Sequence, residues 1–300
     1  MESHLTARRA WVIVALLLSA REGAAQALVG ADVAIENDLV WRGLTRSNPT
    51  SIQPAIVVGY KTLSSVIAAG VWASLEPFAP RAADLSNVGT GGEALGEADV
   101  WVQWDRRFQK LVTLDVSLGW TAYTFHGRTS LGGRGSEWDT SELYVKAKIS
   151  KTGPLLPPLG LPRRLPLALE GSLWKDLGPI GGVYGEIALE ADLPVIPLGE
   201  PLGSLLLRGA LGLSAGQQSV TGTELGYYEG SGPTHVELSA ATVIAVPLGA
   251  AHLTVYPVGH LQVGLDEATM RRGLGAGDRA RVFFWWGLTV SVLFPLRREP

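Results

Sequence analysis

The sequence predicts an all-β fold, a transmembrane antiparallel up-and-down β-barrel of twelve strands, on three observations. Segments of about ten residues alternate apolar and polar side chains, a short secretory leader precedes them, and the connections between them alternate between tight and long. The stretch from Lys110 to Thr124 illustrates the first. Val112, Leu114, Val116, Leu118, Trp120 and Ala122 share one phase, and Thr113, Asp115, Ser117, Gly119 and Thr121 the other. Successive side chains of a strand point to opposite faces, so one phase faces lipid and the other a polar interior.

The leader comes first along the chain. Arg8 and Arg9 precede the apolar run 10–18, and Ala25-Gln26-Ala27 provides the small residues of a cleavage site, placing the expected cut after Ala27. The run is far shorter than the roughly 20 residues a spanning helix needs. Residues 1–27 are therefore expected to be a cleaved signal peptide, and 28–300 a single barrel domain. Without the leader's three arginines and two glutamates, 22 basic and 26 acidic residues remain, a net charge of −4. That mild balance argues against a nucleic-acid partner. The absence of cysteine excludes disulfides, thiolate metal sites and cysteine nucleophiles.

The alternating segments are residues 29–38, 52–61, 66–75, 99–108, 111–125, 138–149, 165–176, 183–193, 205–216, 235–246, 252–263 and 282–294. Their number is even, as bacterial single-chain barrels require. The second, fourth and tenth connections, 62–65, 109–110 and 247–251, are tight, whereas the third, fifth, ninth and eleventh are long and polar. Barrels of this kind have short periplasmic turns and longer outer loops, which implies periplasmic termini and a Gram-negative outer membrane. Connections 150–164 and 194–204, rich in proline and glycine, are longer than that rule prefers.

Aromatic positions supply an independent check. On the lipid-facing phase, Tyr60, Trp104, Phe108 and Phe294 fall near the periplasmic interface, and Trp120, Phe284 and Trp286 near the outer one. Amphipathic rings settle at headgroup depth, so two girdles mark a spanning barrel in contact with outer-membrane lipid and lipopolysaccharide. The opposite phase is too charged to form the second core of a soluble sandwich.

The polar phase carries Asp99, Asp105, Asp115, Glu142, Lys146, Lys148, Glu170, Asp176, Glu186, Glu190, Asp192, Arg208 and Glu237. A basic residue at the lipid-facing midplane costs about 2–4 kcal/mol, so these charges belong in the lumen. Glu186, Glu190 and Asp192 share one strand face beside Glu170 and Asp176, an arrangement that favours cations if the lumen is open. Lys146, Lys148 and Arg208 on neighbouring strands are positioned to neutralise it.

If Leu248-Gly249 forms a two-residue hairpin turn, paired residue numbers sum to 497. Glu237 then faces His260, and His235 faces Gln262. A carboxylate beside an imidazole can orient it for proton transfer or for metal binding, or simply stabilise the strand pair. Ser239 with His235 or His260 is the corresponding candidate for a rim hydrolase. The chain has no Gly-x-Ser-x-Gly elbow, His-Glu-x-x-His or phosphate-binding loop, and no cofactor is implied.

The first hairpin carries a family resemblance. The run from Asp38 to Asn48, with Trp41-Arg42-Gly43-Leu44-Thr45-Arg46-Ser47 at its centre, is followed by Ile52-Gln53-Pro54-Ala55 and Gly70-Val71-Trp72-Ala73-Ser74. Over about residues 30–75 this resembles the Gcw_chp family of proteobacterial exported proteins, with its aromatic-Arg-Gly motif and Gly-x-Trp-x-Ser third strand. The resemblance implies an outer-membrane barrel of largely unassigned function, with Phe294 as the terminal aromatic read by the barrel-assembly machinery. Physically, Gly43 permits a tight bend, and Arg42 and Arg46 can turn back to the acidic lumen as a brace or hold an anionic substrate or lipopolysaccharide phosphate.

The function expected from these features is a passive channel or facilitator for small polar solutes. A closed, charge-filled barrel using its outer loops for contacts is the first alternative, and a rim enzyme the second.

Overall fold

The computed structural model describes residues 26–37, 39–41, 44–47, 50–75, 95–125, 139–153, 165–178, 181–194, 202–217, 228, 231–249, 251–265 and 282–296. The chain begins with strand β1 (Gln26–Glu36), followed by a small hairpin, β2 (Leu39–Trp41) and β3 (Leu44–Ser47). Eleven further strands follow: β4 (Ser51–Lys61), β5 (Ser65–Leu75), β6 (Leu95–Gln109), β7 (Thr113–Phe125), β8 (Thr140–Gly153), β9 (Leu165–Asp176), β10 (Val183–Pro194), β11 (Leu202–Ala215), β12 (Gly232–Leu248), β13 (Ala251–Gly264) and β14 (Val282–Leu296).

Twelve of these form one closed antiparallel barrel, in which each strand pairs with its sequence neighbours and β1 closes the sheet against β14. Closure leaves no unpaired backbone edge, the condition for crossing a medium without hydrogen-bonding water. All twelve predicted strands are present, with ends displaced by a few residues. Val112 belongs to a turn because its carbonyl accepts from Lys110 N at 3.1 Å. Gly216 has a φ of +72°, beyond the end of β11. Asp38 and Trp138 lie outside the described residues. The β2–β3 hairpin, a separate two-stranded sheet, is an element the alternation did not separate from its loop.

The alternation fails to account for two local breaks in the ladder. Pairing between β4 and β5 skips from Ile52 to Ala55, across Pro54. That between β12 and β13 skips from Ala241 to Ile244, opposite Pro257. Proline has no N–H to donate, so each removes a ladder bond from an otherwise continuous sheet.

An 11-residue strand such as β1 is about 36 Å long, giving about 28 Å of height at the usual tilt of about 40°. Its outward phase is apolar and exposed all round the barrel, from Ile56 and Val100 to Leu189, Leu238 and Phe284. Phe108, Phe294, Phe284 and Trp286 stand exposed on that face, and Tyr60, Trp104 and Trp120 lie half-exposed in the same phase. Tyr60 and Trp104 flank Ile67 in one row near the tight turns, while Phe284 and Trp286 sit at the end bearing the long connections.

The inward phase is asymmetric along the barrel axis. At the long-connection end, Ser51, Ser74, Glu142, Asp176, Tyr184, His235 and Gln262 are almost completely buried. Glu97, Tyr123, Ser214 and Trp285 extend this polar–aromatic belt, so that eleven of the twelve barrel strands contribute. Towards the tight-turn end, Lys61, Asp105, Asp115 and Asp192 remain half-exposed or exposed, as do Asp32 and Lys148 nearer the middle.

One predicted register is corrected. Leu248 pairs with Ala251, so paired numbers across the β12–β13 connection sum to 499. Gly249, at φ +64°, takes the first turn position rather than the second, a left-handed conformation that glycine adopts without Cβ strain. Glu237 therefore faces Gln262, Ser239 faces His260, and His235 faces Gly264. Because the shift is two residues, every side chain keeps its predicted face.

Candidate functional site

The lumen is built by the polar phase of strands whose other phase anchors the barrel. Asp99, Asp105, Asp115, Glu142, Lys146, Lys148, Glu170, Asp176, Glu186, Glu190, Asp192, Arg208, Glu237 and His260 all lie on the inward phase, opposite exposed neighbours such as Val100, Leu118, Leu143, Leu169, Ile187, Leu207, Leu238 and Leu261. Arg42 lies outside the described residues, as does the side chain of Arg46, whose backbone belongs to β3.

At mid-height four charges join into one network. Lys148 reaches past β9 to Glu190 on β10, and Arg208 on β11 binds Glu186 while its Nε lies 3.6 Å from Glu190 Oε1. The Tyr184 hydroxyl donates to Glu186 at 3.1 Å. Two cations thus balance two of the three acids expected to give a cation preference. Asp192 lies outside that network, and Glu170 sits opposite Lys148 and within electrostatic reach of Arg208. Lys146 takes a different role, with its ammonium over the rings of Tyr144, at 5.1 Å, and Trp174, at 5.5 Å.

A second group occupies the neighbouring strands. His260 Nδ1 and Glu237 Oε1 are 2.9 Å apart although they are diagonal rather than directly opposite. The imidazole lies flat on Trp285, with centroids 4.5 Å apart and an interplanar angle of 1°. Residues Glu190, Arg208, Ser239, His260 and Trp285 form one continuous row across five strands. Ser239 makes no hydrogen bond to His260 among the described contacts, so the row holds an oriented imidazole without an engaged nucleophile. His235 is buried, bonded to Thr234 Oγ1 at 3.0 Å and stacked on Tyr184, which removes it from the solvent a base would need. Among the described residues no group of three or more His, Asp or Glu is arranged to hold a metal ion.

At the long-connection end, Tyr123 donates to Glu142 at 2.8 Å, Thr140 to Asp176 Oδ1 at 2.9 Å, and Gln53 to Glu36 at 3.0 Å and Ser51 at 2.9 Å. Tyr144 donates to Gln103 at 2.6 Å, and Gln103 to Asp105 at 2.7 Å, carrying the network down β6. At the tight-turn rim Arg107 clasps Asp115 through two bonds of 2.7 and 3.2 Å.

Aromatic rings share the lumen with these charges. Trp174 packs against Tyr144 and Tyr184, with centroids 6.5 and 5.4 Å away, and Tyr184 stacks on Tyr228 at 6.4 Å. Several such rings lie over a directly paired glycine. A Cβ on Gly119 would meet Tyr144 at 2.2 Å, one on Gly70 would meet Trp101 at 2.6 Å, and one on Gly212 would meet His235 at 2.4 Å. The usable signal was phase: Tyr144 lies between Glu142 and Lys146, and Trp174 between Ser172 and Asp176, two residues from each.

No family model matches the sequence, and no curated protein matches it. Solved structures similar to this chain include the β domain of the Bordetella autotransporter BrkA, at 13% identity, covering 91% of this chain and 100% of that one with a TM-score of 0.46. An outer membrane channel from Pseudomonas putida F1 has 11% identity, coverage of 92% and 97%, and a TM-score of 0.44. The KdgM porin, solved with disordered oligogalacturonate, has 6% identity, coverage of 90% and 99%, and a TM-score of 0.41.

Proposed function

We propose that this chain is an outer-membrane barrel of a Gram-negative bacterium that passes small polar solutes passively through a charge-paired lumen. The observation that carries the reading is the partial exposure of the mid-lumen network, in which the Lys148 and Arg208 side chains retain 36% and 22% of their accessible surface. Charges bordering a wetted gap at mid-height suit a conduit that filters by size and by local sign. The outward apolar face and its two aromatic girdles support the membrane setting. The tight turns support periplasmic termini, and Phe294 suits recognition by the barrel-assembly machinery. The first hairpin carries the proposed kinship with the Gcw_chp family. Lipid and lipopolysaccharide are the expected surroundings.

The solute meets two zones. On the tight-turn side it enters a vestibule lined by half-exposed Asp105, Asp115 and Asp192. On the other side it meets the buried polar–aromatic belt, which is the constriction. Paired charges in the middle lower the net field, so selection rests more on size than a row of unpaired acids would imply.

Single-channel recordings of the purified, folded protein in planar bilayers test this reading. Small, discrete conductance steps are expected, and silence together with no solute uptake into liposomes overturns it. One observation favours a second reading, a closed structural barrel: side chains of the belt on eleven strands are almost wholly buried. That reading predicts silence for the native protein and conductance after Tyr184→Ala.

A further inference from the structure

Two carboxylates meet at the long-connection end of the lumen where β8 pairs with β9. Glu142 and Asp176 are direct cross-strand partners on the same face, and their side chains are 0% and 1% exposed. Like charges placed directly opposite on one sheet face destabilise the pair, and burial removes the water that would screen them. Asp176 Oδ1 is satisfied by Thr140 Oγ1 at 2.9 Å and Gly178 N at 2.6 Å. Its other oxygen, Oδ2, is fully buried and accepts no hydrogen bond among the described residues. Among the described residues, the groups acting on Asp176 are the Thr140 hydroxyl, the Gly178 and Gly181 amides and the Glu142 carboxylate, none of them a cation. A buried carboxylate oxygen without a described donor, on a residue paired directly with a second buried carboxylate, is the electrostatic demand a bound cation meets.

We propose that Asp176 and Glu142 form a binding site for a hard divalent cation of the Ca²⁺ type, at the barrel end that carries the long connections. No third carboxylate, histidine or cysteine joins them among the described residues. The remaining ligands are therefore neutral oxygens from hydroxyl groups, backbone carbonyls and water. An all-oxygen set selects Ca²⁺ over zinc or copper, and the flexible coordination of Ca²⁺ suits it better than the strict octahedron of Mg²⁺. Two carboxylates place the affinity near that of extracellular calcium modules, roughly 10⁻⁴–10⁻³ M. When bound, the ion ties the end of β9 to the start of β8 and fixes this part of the belt. The site belongs to the belt that borders solute passage, but ion binding and conductance are read by separate assays, so either proposal can fail alone.

Terbium luminescence tests the site on the full-length folded barrel in detergent micelles. Trp174 lies on the same face of β9 two residues before Asp176, an indole donor close to the proposed ion. Saturable sensitised emission is expected, displaced by Ca²⁺ and at least tenfold less effectively by Mg²⁺. Asp176→Asn should abolish it, and Trp174→Phe should dim the emission while calorimetric Ca²⁺ binding persists. If Asp176→Asn does not fold, Glu142→Gln serves instead, with a loss of affinity of tenfold or more. No saturable emission or calorimetric binding up to about 10 mM, an order of magnitude above the expected range, overturns the proposal. So does emission unchanged in a folded Asp176→Asn protein, or an infrared protonated-carboxyl band, lost in that variant, that persists with Ca²⁺ present.

Discussion

Gly119→Ala is the sharpest test of how the lumen is packed. The added methyl carbon would lie 2.2 Å from Tyr144 Cζ, 2.3 Å from its hydroxyl oxygen and 2.7 Å from Cε1. Ordinary contact needs about 3.5–4.0 Å, so a rigid ring must withdraw by more than about 1 Å. Overpacking of this kind costs about 1–3 kcal/mol. Withdrawal also breaks the 2.6 Å bond from Tyr144 to Gln103, worth about 0.5–1.5 kcal/mol, and disturbs the Trp174 and Lys146 contacts. The expected loss is about 2–4 kcal/mol. Equilibrium urea unfolding in lipid vesicles, followed by tryptophan fluorescence, measures it. Gly171→Ala is the matched control, because a Cβ there meets nothing within 4 Å. A double-mutant cycle with Tyr144→Ala isolates the clash, and a coupling of about 1–3 kcal/mol is expected. Equal stability of Gly119→Ala and Gly171→Ala, or a coupling near zero, would refute the reasoning.

Further outcomes follow from the same geometry. Leu189→Arg, on the exposed apolar belt, should cost about 2–4 kcal/mol in a bilayer, whereas Leu63→Arg at a turn tip should be nearly neutral; similar costs would remove the membrane-facing assignment. Glu190→Gln leaves Lys148 without its acid partner and should move the reversal potential in a salt gradient towards anions, and an unmoved potential takes the pair out of the conduction path. His260→Ala strips the Glu237 carboxylate of its partner and uncovers Trp285, so a loss of about 1–3 kcal/mol and a shifted indole emission are expected. If the same substitution abolishes an esterase activity while the barrel still folds, the row containing Ser239 is an active site. Gly249→Ala should cost about 1 kcal/mol, because the turn holds this residue in the left-handed region.

Strand existence and facing were legible in the sequence because both depend on a local period of two. Leu114, Val116 and Leu118 announce a lipid face whatever their partners are, and Asp115 between them announces a lumen. The same holds for Glu142 to Lys148, whose inward set was readable without any contact being known. Tyr144 and Trp174 share that phase, but a search guided by charge passes over them.

Pairing was only partly legible. Placing Gly249 in the second turn position rather than the first moved the β12–β13 register by two residues. Facing survived, because the shift was even. Which residue stands opposite His260 did not survive, and Ser239 took the place expected for Glu237. The Glu237–His260 bond still forms, since a diagonal neighbour lies within reach of a long side chain.

Alternation by itself determined that this chain forms a barrel, how many strands close it, and which side chains look inward, because each strand's two faces are written in consecutive residues. Only the closed structure decided which charges meet. Lys148 finds Glu190 two strands away, Tyr144 lies over Gly119, and a fully buried belt gathers at one end of an otherwise half-exposed lumen. Those contacts depend on register and on the curvature that brings non-neighbouring strands within side-chain reach, and neither quantity is carried by any one segment.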